Sequence, residues 1–138
     1  MTKKNKLKLC DWSLLVLTVF VLVSGLYLEL THSQDLYWVW VHVVLCSVFI
    51  GAVVWHLYLH FKWKSWFRRL KGQKSPVTRL LALFGVLAFV SGIVATAHWV
   101  CSYTHASIGG VHGKLGFIFI ALAAGHTAKR IKRLFKNI

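Results

Sequence analysis

The sequence predicts an all-α fold: a four-helix transmembrane bundle built from two tandem two-helix repeats. Three observations carry that prediction. The chain of 138 residues is 57% apolar, with seven Trp and nine Phe against three acidic residues, so as a water-soluble domain it would leave large apolar surfaces in contact with water. Its apolar content falls into four stretches, and its positive charge is gathered between and beyond them. The chain also repeats itself, with Ser24-Gly25 returning as Ser91-Gly92 and His42 and His56 returning as His112 and His126.

The first stretch, Trp12 to Leu28, follows Lys3, Lys4, Lys6 and Lys8 and contains Ser24-Gly25. Lysines before an apolar run resemble a secretory signal. The run closes on Leu26-Tyr27-Leu28-Glu29 without a small-residue cleavage site, so it is expected to stay as a helix. The second stretch, Leu36 to Phe61, carries His42, His56 and His60. A basic segment over residues 62–79 separates the halves, and the single proline, Pro76, lies in it, where a helix can end without damage. The third stretch, Leu80 to His98, contains Ser91-Gly92. The fourth, Ile108 to Ala128, carries His112 and His126 and is interrupted only by Lys114. Crossing about 30 Å of hydrocarbon takes about 20 helical residues, and helix alone satisfies the backbone of such runs internally. Residues 1–138 therefore read as one integral membrane domain, with repeat one at about 10–70 and repeat two at about 77–135.

The net charge of +14 is distributed by side of the membrane. Lys62, Lys64, Arg68, Arg69, Lys71, Lys74 and Arg79 fill the middle connection, and Lys129, Arg130, Lys132, Arg133 and Lys136 follow the fourth stretch. The segments Glu29 to Asp35 and Trp99 to Gly110 contain no Lys or Arg. The positive-inside rule then places both termini and the middle connection in the cytoplasm. Loops this short leave no folded basic surface for nucleic acid. Trp38 and Trp40 outside, with Trp63 and Trp66 inside, read as an aromatic belt.

The histidines carry the chemistry. His42 and His56 are fourteen residues apart, and so are His112 and His126. Fourteen residues make roughly 21 Å of helix and nearly a whole number of turns, so each pair lies on one face. A repeat that crosses the membrane twice makes the second and fourth helices parallel, which sets His42 level with His112 near the outer face and His56 level with His126 near the inner. A polar ring is expensive in lipid, and four in matched positions call for a function. Two imidazoles fill both axial positions of a haem iron and leave none for dioxygen, which suits electron transfer. Two non-covalent b-type haems are expected, because no Cys-x-x-Cys-His occurs.

Gly25, Gly92 and Gly116 are candidate points where side chains are omitted for a porphyrin; close helix packing through small residues explains them equally. His60 reads as an interfacial residue or a propionate neighbour, and His98 as the substitute ligand should one of the four be misassigned. His32, His98 and His105, near Glu29 and Asp35 in sequence, could line a quinone or acceptor site on the outer side, or be ordinary loop polarity. Cys10, Cys46 and Cys101 are not placed to pair. Arg68, Arg69, Arg79, Lys129 and Arg130 lie near the inner helix ends, whereas the outer side has only Lys114, so loop charge alone predicts a higher reduction potential for the inner haem.

Val54-Trp55-His56-Leu57-Tyr58-Leu59-His60-Phe61-Lys62-Trp63-Lys64 and Val111-His112-Gly113-Lys114-Leu115-Gly116 resemble the corresponding segments of small bacterial di-haem membrane b-type cytochromes, most closely the flavinylation-associated cytochromes. The wider resemblance is to the four-helix core of cytochrome b in the quinol-oxidising complexes, which has the same fourteen-residue spacing on two parallel helices. The resemblance implies a multi-pass protein of the bacterial cytoplasmic membrane. It implies electron transfer between quinol or quinone and a redox partner on the outer face, such as a flavoprotein, with His42, His56, His112 and His126 as iron ligands. With quinol as donor, the protein would act as a quinol-linked oxidoreductase. The chain departs from the quinol-oxidising complexes in having no further helices and no quinone-site signature. Two other readings use the same residues: a superoxide oxidase that reduces quinone, and a cofactor-free transporter or membrane assembly factor.

Overall fold

A computed structural model describes residues 2–32, 35–61, 65–72, 75–102 and 107–135, apart from the side chains of residues 66, 67, 70 and 130–134. His105, Lys62, Trp63, Lys64, Lys74 and Lys136 lie outside the described residues, as do the side chains of Trp66, Arg130, Lys132 and Arg133. Every regular element described is helical: α1 Lys3–Thr31, α2 Leu36–Phe61, α3 Trp66–Lys71, α4 Pro76–Ser102 and α5 Ser107–Phe135. Four of these are long and apolar enough to cross a membrane, α5 over Ser107–Lys129. Four such helices mark the chain as a multi-pass membrane protein.

The helices run past the apolar stretches at both ends. Helix α1 starts at Lys3 because Thr2 caps it, its Oγ1 accepting from Asn5 N at 3.4 Å, and the four lysines form its first turns. At 29 residues it is roughly 43 Å long, more than the hydrocarbon thickness, so these lysines reach the head-group region. It stops at His32, whose left-handed φ of 45° ends the helical run. Asp35 precedes α2, its carboxylate accepting from Tyr37 N at 3.1 Å. Pro76 is the first residue of α4 rather than part of a break after α2, in a position where a missing N–H costs nothing. The basic segment also contains the short helix α3, which sequence reading treated as loop.

Inside the long helices, hydroxyls return their protons to carbonyls one turn back: Ser13 to Leu9 at 2.8 Å, Thr18 to Leu14 at 2.7 Å and Ser47 to Val43 at 2.8 Å. This satisfies polar groups that lipid cannot.

The chain forms two compact units, Met1–Gly72 and Gln73–Ile138. In the first, α1 and α2 pack as an antiparallel hairpin. Cys10 Sγ reaches Ala52 O at 3.7 Å toward the open end, and the rings of Tyr27 and Trp38 lie 4.7 Å apart toward the turn. In the second, α4 and α5 pair in the same sense, with Gly85 against the ring of Phe119. Val19, Phe20, Val23 and Ile93 are more than half exposed, whereas Ser24 and Ser91 are only 7% exposed. Polar groups inward and apolar groups outward is the arrangement that lipid as solvent selects.

Candidate functional site

At the turn end of each hairpin the same four groups meet. In the first unit, Ser24 Oγ lies 2.8 Å from His42 Nδ1 and 3.1 Å from Val21 O. In the second, Ser91 Oγ lies 3.3 Å from His112 Nδ1 and 3.1 Å from Ala88 O. The glycine after each serine is where the imidazole passes. A Cβ on Gly25 would sit 3.3 Å from His42 Cε1, and one on Gly92 would sit 2.9 Å from His112 Cε1. Ser-Gly and histidine, found as separate repeat markers along the sequence, are one contact in three dimensions.

The hydrogen bonds assign the tautomer. Ala88 O accepts only, and it lies 3.0 Å from His112 Nδ1, so that nitrogen carries the proton. Ser91 gives its own proton to the same carbonyl and accepts from Nδ1. By the same geometry Ser24 donates to Val21 O and accepts from His42 Nδ1. The lone pair of His112 is therefore on Nε2, the tautomer that a metal-ligating histidine presents when its other nitrogen is held by an acceptor, and the Ser24 contact allows His42 the same tautomer. Cys46 Sγ is 3.5 Å from His42 Nε2 and would have to turn aside for an axial bond. The position seventy residues on is Gly116, where a Cβ would meet nothing within 4 Å.

At the open end of the first hairpin, His56 faces α1 as His42 does, in keeping with their fourteen-residue spacing. Asp11 Oδ1 is 3.0 Å from His56 Nδ1, a charge contact that falls short of an aligned hydrogen bond. The His60 ring lies 4.5 Å from that of His56, inclined by 50°. One ligand atom from each of Asp11, His56 and His60 lies within 4.8 Å of the others. His126 is half-buried on α5, fourteen residues beyond His112.

Other expected site residues stay apart from these clusters. His98 is exposed, its Nδ1 3.2 Å from Ser102 Oγ in the same helix. His32 is an exposed helix terminus, and Glu29, Asp35 and Lys114 are exposed. Cys10, Cys46 and Cys101 are all free thiols.

Sequence reading missed Asp11 and took Ser24 and Ser91 as repeat markers without a partner. The signal for Asp11 was its chemistry: a lone carboxylate opening an apolar run is costly unless something receives it.

The residues fit a haem on three grounds. At the turn ends, His42 and His112 recur seventy residues apart, each has a hydroxyl on Nδ1 with a carbonyl beside it at His112, and the helix each ring faces within its hairpin is pared to glycine there. The second site is the tighter. Gly92→Ala is expected to displace His112 and destabilise the protein by about 1–3 kcal/mol, the usual range for overpacking, with Gly25→Ala milder. Thermal unfolding in detergent checks the order, and an equal or reversed effect would count against the packing account.

Comparison of the chain with protein-family models, with curated proteins and with solved structures gives no match.

Proposed function

We propose that this protein is a di-haem b-type cytochrome of the bacterial cytoplasmic membrane, moving electrons between the quinone pool and a redox partner on the outer face. The observation that carries the reading is the repeated Ser-Gly/His contact, which gives His42 and His112 the same hydroxyl partner on Nδ1 and the same cleared neighbour. In this reading the two hairpins are tandem repeats of one four-helix bundle, with His42 and His112 holding the outer haem and His56 and His126 the inner. When bound, each haem iron supplies one-electron exchange.

The chain's own residues do the rest. Ser24, and Ser91 with Ala88 O, fix the imidazole planes so that the rings need little reorganisation on binding. Gly25 and Gly92 admit those rings.

Reduction by a quinol analogue tests the electron-transfer reading. In stopped-flow mixing, the purified protein should show haem reduction that saturates with quinol concentration. Reduction by dithionite but not by any quinol would remove the quinone pool from the proposal.

The proposed orientation follows from the basic segments at 62–79 and 129–136. A reporter that is active only after export should be silent when fused at Ile138 and active when fused after Asp35. The opposite pattern would invert every inside and outside assignment.

A further inference from the structure

We propose that Asp11 is a positioning residue for His56: it holds the imidazole through Nδ1 and lowers the reduction potential of the haem that His56 ligates. The inference rests on the di-haem reading above.

The geometry sets His56 apart from the two turn-end histidines. His42 and His112 give their Nδ1 protons to neutral acceptors, a serine hydroxyl in one case and a hydroxyl with a carbonyl in the other. His56 Nδ1 instead faces a carboxylate at 3.0 Å. Asp11 is one of three acidic residues in the chain, and the other two, Glu29 and Asp35, are exposed near the α1–α2 turn, at the far end of the hairpin. Its side chain is 31% exposed, at the edge of the helix pair: Cys10, beside it in sequence, is fully buried and reaches Ala52 O, one turn before His56. His60 flanks the His56 ring from the next turn. A carboxylate at the rim of an apolar helix pair, 3.0 Å from a ring nitrogen, has its charge partner there and nowhere else among its described contacts.

A carboxylate 3.0 Å from Nδ1 adds a negative charge beside the ring, and once the ring turns into line with it the carboxylate would draw the Nδ1 proton more strongly than a hydroxyl does. The imidazole becomes a stronger donor through Nε2. Both effects favour the oxidised state, because reduction adds an electron to the site. Asp11 thus works against the basic side chains of α3 and α4, among which Arg68, Arg69 and Arg79 are exposed to solvent and screened.

The test is an optical redox titration of the full-length protein with haem content measured on the same sample, for the parent, Asp11→Asn and Asp11→Glu. The Asn variant should keep both haems and raise one midpoint, namely that of the centre missing from His56→Ala. The Glu variant, which restores the carboxylate, should stay near the parent. Two haems with neither midpoint moved, or with only the other centre moved, would overturn the role of Asp11 and leave the di-haem reading standing. Should Asp11→Asn lose the inner haem outright, Asp11→Glu decides. A retained haem at the parent midpoint supports the carboxylate contact, and loss in both variants means that the residue serves the helix pairing instead. A colourless parent protein that binds Zn²⁺ through Asp11, His56 and His60 would overturn both readings.

Discussion

Replacing His42 or His112 with Ala should remove one and the same haem, and replacing His56 or His126 should remove the other. Each single variant should keep about half of the parent's haem absorbance, since loss of one axial imidazole opens the site without touching the second. The pairing, not the loss itself, is the informative part. His42 and His56 lie on one face of α2, the face toward α1, where they meet Ser24 and Asp11. The proposed parallel arrangement of α2 and α5 then requires His42 with His112 and His56 with His126. The double variant His42→Ala/His112→Ala should retain the same remaining centre as either single variant. If His42→Ala and His126→Ala removed the same centre, the tandem-repeat arrangement would be wrong.

The next largest effect is expected at Ser24. Its hydroxyl lies 2.8 Å from His42 Nδ1, and Ser24→Ala removes that contact at a site where Ser24 is only 7% exposed. Losing the group that orients a metal-ligating histidine typically costs about 10–100-fold in affinity, and the outer haem should weaken by that order. Ser91→Ala should cost less, because Ala88 O remains 3.0 Å from His112 Nδ1 and can accept alone. Haem retention during titration with apomyoglobin as a competing acceptor measures both variants. Equal losses would mean that the carbonyl contributes nothing to holding His112.

The helices were legible because apolar runs of this length have few other solutions. Their ends were not. Lys3 to Lys8 read as a cytoplasmic leader, yet Thr2 caps a helix through them, since lysine is a good helix former and its charge can reach the head groups. Helix α3 was hidden in the basic segment, where charge density masks a single turn and a half of helix.

The histidine spacing put His42 and His56 on one face of α2, and both do face α1. What they meet there was out of reach, because a hydrogen bond between two helices depends on their relative rotation, which hydropathy does not encode. Ser24 and Gly25 stood out as a repeated pair, but only the hairpin makes them the acceptor and the gap for one imidazole. Asp11 was lost for the same reason. Three residues after Lys8, its cost at the start of an apolar run was legible but its partner was not, because only the packing of α1 on α2 brings it to His56.

The central claim, that the paired histidines hold haem, is tested most directly by one measurement: the haem content per polypeptide of the purified protein, with its oxidised and dithionite-reduced spectra. The account predicts two b-type haems per chain, six-coordinate and low-spin in both states, and extractable by acidified organic solvent. A protein that is colourless after expression with ample haem supply, or that holds its haem covalently, would contradict it.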